Sequence, residues 1–209
     1  MENANFEAEL NKLRQDLATE QTVELLQQAM LCCLNIAEQN LQEQRHCWQN
    51  AALVREALGY ARQLLEYDGM LSVVESCLED MAETIYEHPR LKLEIMLLRH
   101  QIRQQVAEPT VELEAQIELY QDNIEAADDS RLEDVRQTTI LKHDPVEWTR
   151  EWEAAIDEVD KIVDARLADH PRGMGFCHAC WHERANVLSE QFDIQWRSPA
   201  RMNPRVMFD

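Results

Sequence analysis

The chain has 209 residues, 45% hydrophobic and 29% charged, with a formal net charge of −20. That length is ample for a buried core, and that balance excludes both a disordered chain and a membrane-embedded one. With 40 acidic against 20 basic side chains, direct binding to a phosphate backbone is disfavoured, because that affinity comes from cations.

Glycine, which supplies the positive-φ positions that hairpins require, occurs only at Gly59, Gly69, Gly173 and Gly175. Leu, Glu, Gln, Ala and Arg dominate instead, and the apolar periodicity is helical nearly throughout. Phe6, Leu10, Leu13 and Leu17 form a first stripe with 4-3-4 spacing. Thr22 to about Gln44 predicts a second helix, apolar all round in its middle ("AMLCCLNIA", 29–37) and therefore central in the bundle. Those nine residues cannot span a bilayer, which takes ~20. Trp48, Ala51, Val54, Leu58, Ala61 and Leu65 mark a third helix, with Gly69 as its expected C′ residue. Leu71 to Ile85 and Leu91 to about Val106 mark two more, separated by "HPR" at 88–90. Leu113, Ile117, Tyr120 and Ile124 give a sixth, and a short helix is expected within 131–141.

"DPVE" at 144–147 has the form of a helix start: Asp144 as cap, Pro145 at the first helical position and Glu147 placed for a capping box. The helix it opens is expected to run through Trp148, Trp152, Ala155, Val159 and Val163 to about Ala168, ending at "DHPRGMG". A last helix is expected at about 176–191. The tail from 193 has two prolines and no helical period, and its apolar groups favour docking over exposure. The fold expected is an all-α antiparallel bundle of six to eight helices spanning 1–170, with the last helix and an irregular, docked C-terminal tail at 171–209 as part of the same domain. A helical-repeat scaffold is the alternative architecture, but the prolines at 89, 109, 145 and 171 keep no fixed period.

The N-terminus, "MENANFEAELNKLRQ", has neither a basic n-region nor an apolar h-region, so no signal peptide is expected. Cys32, Cys33 and Cys77 fall on apolar faces and resemble core thiols rather than a secreted disulfide framework. A cytoplasmic protein without a membrane segment follows as the expectation.

Two constellations offer chemistry. The first is "GMGFCHACWHER" at 173–184, where Cys177, His178, Cys180 and His182 are all zinc-ligand types. On a continuous helix each residue turns ~100°, which separates Cys177 and Cys180, with Trp181 between them, from a face holding His178 and His182. The four cannot close one tetrahedron, and distant ligands would have to complete either pair. A redox dithiol is the other chemical reading, since a cysteine in the first helical turn has its thiolate stabilised by the helix dipole. Helical peroxidase partners of that kind place a histidine four residues after the second cysteine, where this chain has Arg184. The packing reading is stronger: Phe176, Cys177, Cys180, Trp181, Leu188 and Phe192 follow a helical apolar stripe, with cysteine as a small hydrophobe. No cofactor is required on that reading.

The second constellation is acidic. Residues 109–170 carry 18 acidic and 6 basic side chains, a net of −12, whereas 171–209 come to +1. Glu153, Asp157, Asp160 and Asp164 are spaced 4-3-4 and line one helical face, where like charges repel by a few tenths of a kcal/mol per pair. Such a stripe can meet a basic protein surface or imitate a phosphate track. Solvation, or cover by the basic tail, is the plain alternative. Glu43–His46 is the chain's one Glu-x-x-His, where a di-iron bundle needs two. The function expected is therefore a non-enzymatic interaction module with an acidic helical surface for a basic protein partner. A metal- or thiol-dependent helical enzyme centred on Cys177 and Cys180 is the alternative.

Overall fold

Helix formers in amphipathic register and a scarcity of glycine give an all-α protein. The computed structural model describes residues 2–85 and 87–208, with side chains from residue 6 onward, and is 71% helical with no strand among them. Nine α-helices follow one another among the described residues: α1 (Glu2–Leu17), α2 (Val23–Glu43), α3 (Asn50–Leu64), α4 (Leu71–Glu83), α5 (Pro89–Gln105), α6 (Val111–Asp128), α7 (Arg150–Arg166), α8 (Phe176–Gln191) and α9 (Pro199–Met202). The ninth, beyond the six to eight expected, is a single turn inside the tail. The chain divides into two compact units, one of residues 1–86 and 91–114, the other of 87–90 and 115–209. The division thus falls near residue 115, and 115–170 group with the last helix and the tail.

In the first unit α2 is the central helix, packed against α1, α3 and α4. Thr22 caps it by accepting the Leu25 N–H at 3.2 Å. Leu26, Met30, Ile36, Leu58, Leu64, Leu78, Met81, Ile95 and Ile102 are fully buried in one aliphatic cluster. Each such side chain contributes ~1.5–3 kcal/mol over its exposed state. Cys32, Cys33 and Cys77 lie in this cluster as expected, and burial pushes all three thiols up. One buried polar knot fixes the ends of three helices. Asn50 Nδ2 donates to the Ala37 and Thr84 carbonyls at 3.0 and 3.2 Å, while its Oδ1 accepts from Asn40 Nδ2 at 2.9 Å. Gly69 is left-handed (φ +83°), but it lies beyond a run of turns that follows α3 rather than directly at the helix end.

The second unit is built on α7. Trp152, Ala155, Ile156, Val159 and Val163 face Val187 and Leu188 of α8 and Ile194 and Trp196 of the tail. The start of α7 departs from expectation. Asp144 and Pro145 open only a 3-10 turn, Pro145–Trp148, and Thr149 then caps again by accepting the Trp152 N–H at 3.2 Å. The reason is that Glu147 does not fold back as a capping-box partner. It accepts the Trp196 indole N–H at 2.7 Å and faces His143 Nδ1 at 3.1 Å. Asp144 accepts three bonds from Arg197, through the backbone N–H, Nε and a terminal nitrogen, at 2.7–3.0 Å. The helix expected within 131–141 shrinks to one 3-10 turn, Leu132–Asp134. The buried Asn123 takes the backbone there instead, exchanging two 2.8 Å bonds with Arg136. The tail docks: Ile194, Trp196 and Asn203 are buried, and Asn203 exchanges two 2.9 Å bonds with the Lys142 backbone. No helix is long and apolar enough to cross a membrane among the described residues.

Candidate functional site

The acidic stripe of α7 is turned onto cations of its own unit, two of them, Arg172 and Arg184, from the basic 171–209 segment that the sequence reading weighed as cover against a partner. Glu153 accepts from Arg90 at 3.1 Å and lies 3.8 Å from His88 Nδ1. Asp157 accepts from His88 Nε2 at 3.0 Å, Asp160 is held at two oxygens by Arg184 (2.7 and 2.8 Å), and Asp164 accepts from Arg172 at 2.8 Å. Of the four, only Asp157 is more than a third exposed, at 37%. Four-residue spacing on one face costs a few tenths of a kcal/mol per like-charged pair, and interleaved cations remove that cost. Arg184 joins a carboxylate of α7 to one in the 87–90 segment. It reaches Glu87 at 3.2 Å and lies over the Trp196 ring, 5.6 Å from its centroid. Burial pushes the Asp160 carboxyl up to about 6, against the opposing pull of Arg184. Burial works against the Arg184 charge too, but Asp160 and Glu87 outweigh it and hold the guanidinium above its ordinary range.

None of these cations was identified from sequence, although a signal existed. "EHPR" at 87–90 and "DHPR" at 169–172 resemble each other, and their arginines meet the two ends of the same stripe, Glu153 and Asp164. Arg90 further bonds the Trp148 carbonyl at 3.0 Å and pairs with Asp128. Arg172 stacks on Phe176, 4.7 Å from the ring centroid.

On α8 the cysteines and histidines part company, as helical geometry requires. Cys177 and Cys180 are half-buried and in no disulfide, and Cys180 packs against the apolar cluster of the unit. Burial pushes the Cys180 thiol up, with Arg184 and Arg172 opposing. A thiol so held keeps its proton, the reverse of what a nucleophile or zinc ligand needs. His178 donates from Nε2 to the Phe208 carbonyl at 3.2 Å, and His182 faces Asn186 at 3.3 Å. Trp181 belongs with the histidines rather than with the cysteine edge. It meets His178 and Phe208 edge-to-face, with centroids 5.3 and 5.1 Å away. No group of three or more His, Cys, Asp or Glu side chains is arranged to hold a metal among the described residues.

Two clefts open on the second unit. One of about 260 Å³ is lined by Asp128, Thr149, Arg150 and Glu151, and its Arg150 is already paired with Asp128 at 2.8 Å. The other, about 190 Å³, lies between the histidine face of α8 and α9. No family model, no curated protein and no solved structure matches the chain.

In the first unit three exposed carboxylates lie close together on α4. Glu79, Asp80 and Glu83 occupy its last turn and a half, all exposed. Burial, then Glu83 and Glu79, pushes the Asp80 carboxyl up. Glu79 touches Arg99 at 3.1 Å, but that guanidinium is shared with Glu75.

Proposed function

We propose that the protein is a non-enzymatic interaction module that presents acidic helical surface to a basic partner protein. The observation that carries the reading is the mutual crowding of Glu79, Asp80 and Glu83, with Asp80 held above the ordinary carboxylate range partly by its neighbours. Like charges kept together against their repulsion are relieved when a cation arrives, which couples the cluster to a basic surface. The distribution of cations supports this. In the first unit, with 19 acidic and 8 basic side chains, Arg14, Arg62, Arg99 and Arg103 are all engaged in ion pairs. The unit keeps an excess of 11 carboxylates over its cations, 19 against 8. Relative to the α7 stripe, whose charges are met internally, the α4 cluster is the better docking surface. That none of the six cysteines forms a disulfide supports a cytoplasmic setting.

The test is titration of a lysine- and arginine-rich peptide at physiological salt into two triple variants. Glu79→Lys, Asp80→Lys, Glu83→Lys is expected to lose about tenfold or more in affinity, as desolvated charge pairs do. Glu112→Lys, Glu118→Lys, Glu125→Lys makes the same change in net charge elsewhere and is expected to lose several-fold less. Equal losses mean that binding follows net charge alone, and the α4 surface is then no site.

A further inference from the structure

His178, Trp181 and His182 recur at three- and four-residue intervals and share one face of α8. The tail crosses that face, and Trp196, Ser198 and Arg201 complete the cleft of about 190 Å³. Donors among its polar groups come from Arg201, Ser198 and His182. Arg172, Arg184 and Arg197 are each bound to carboxylates, but no carboxylate among the described residues pairs with Arg201. Ser198 Oγ accepts the Arg201 backbone N–H at 3.4 Å, which leaves its hydroxyl proton to give. The Asn186 amide nitrogen faces His182 Nε2 at 3.3 Å, and an amide NH₂ can only donate, so the neutral His182 carries its proton on Nδ1. The carboxylate recorded against a wall of the cleft, Glu147, is occupied by the Trp196 indole N–H.

We propose that this cleft binds a small planar carboxylate. Arg201 offers the fork that matches a carboxylate at two oxygens, Ser198 adds a third donor, and the tryptophans hold the flat body of the ligand. The volume lies below the ~300–1,000 Å³ of sites for drug-sized molecules, which sets the ligand at fragment size. A single guanidinium, one positive charge, suits a monoanion better than a phosphate dianion. The net charge of −20 does not forbid this, because at physiological salt charges are screened beyond ~8 Å and the groups in the cleft decide.

Benzoate is the probe, followed through the indole N–H resonances, with Trp181→Phe assigning the one of interest. Benzoate is expected to shift the Trp181 resonance saturably, and its neutral isostere benzamide to bind about tenfold more weakly or worse. Arg201→Gln is expected to cost benzoate about tenfold or more, as loss of a charged hydrogen bond does. Arg205→Gln, an exposed tail arginine outside the cleft, is expected to change it less than about twofold. The proposal is overturned if the Trp181 resonance does not saturate, if benzamide matches benzoate, or if the two arginine variants lose equally. Inorganic phosphate displacing benzoate at a lower concentration than benzoate itself requires would also overturn it.

Discussion

The two units solve the same problem with different materials. The first buries leucine, isoleucine, methionine, alanine and cysteine in one cluster from five helices and keeps pairs such as Arg14–Glu56 and Arg62–Glu94 exposed at its rim, with Arg99–Glu75 deeper. The second has a smaller apolar cluster built on two tryptophans, and paired charges enter it: Arg184 with Asp160 and Glu87, Asp144 under Arg197, His88 against α7. A core of the first kind fails when volume is removed. A core of the second kind fails when one charge is removed and its partner is left buried. Trp148, Trp152, Trp181 and Trp196 lie in the second unit and Trp48 in the first, so fluorescence follows the second while far-UV dichroism follows both.

The largest effect separating the units is expected at Arg184. Arg184→Ala leaves Asp160 and Glu87 without their cation and costs about 3–5 kcal/mol, seen as an early fluorescence transition in urea. A variant with an unchanged fluorescence midpoint breaks the comparison. Leu58→Ala, at a site 1% exposed, costs about 3 kcal/mol and moves the dichroism transition while the fluorescence midpoint stays. Thr149→Ala removes the second cap before α7 and costs about 1 kcal/mol, read from the fluorescence transition alone. Asp144→Ala is expected to cost more than Thr149→Ala in the same measurement, because it also strands Arg197 and the Val146 and Arg197 backbone N–H groups.

The smallest and sharpest test is pH, where Asp160 of the second unit and Glu56 of the first respond with opposite sign. The folded-state value of Asp160, about 6, lies above its ordinary 3.8. Its contribution is therefore complete below 3.8 and lost as pH rises through about 6. Glu56, held down by Arg14 and Tyr60 from an ordinary 4.5, contributes fully above that value and loses it as pH falls through its lower folded value. Between pH 7 and 5 the fluorescence transition should strengthen, and Asp160→Asn should flatten that slope. Below about 4.5 the dichroism transition should weaken, and Glu56→Gln should flatten that one. Slopes that neither Asp160→Asn nor Glu56→Gln alters would remove the distinction.

Much of the helical order was legible because it rests on local terms. Stripes such as Phe6–Leu10–Leu13–Leu17 and Trp152–Ala155–Val159–Val163 recur at the helical period, and α8 spans the interval its apolar stripe marked. The missed boundaries have a common cause. At "DPVE" and in 131–141, side chains with good local uses were taken by distant ones: Glu147 by Trp196, Asp144 by Arg197, the backbone at Arg136 by Asn123. The acidic stripe follows the same pattern. Its spacing was plain, but its partners lie as far as 69 residues away in sequence, so its direction was not.

The sequence by itself determined the fold class, the separation of cysteines from histidines on α8, and the burial of Cys32, Cys33 and Cys77, because each follows from periodicity and hydropathy within one helix. Only the tertiary structure decided which charges are spent. It turned Glu153 and Asp160 inward onto Arg90 and Arg184, left Asp80 crowded by its neighbours, and brought α9 across the histidine face with no described carboxylate paired to Arg201. Pairing of charges depends on distance in space, and helical spacing alone carries no record of it.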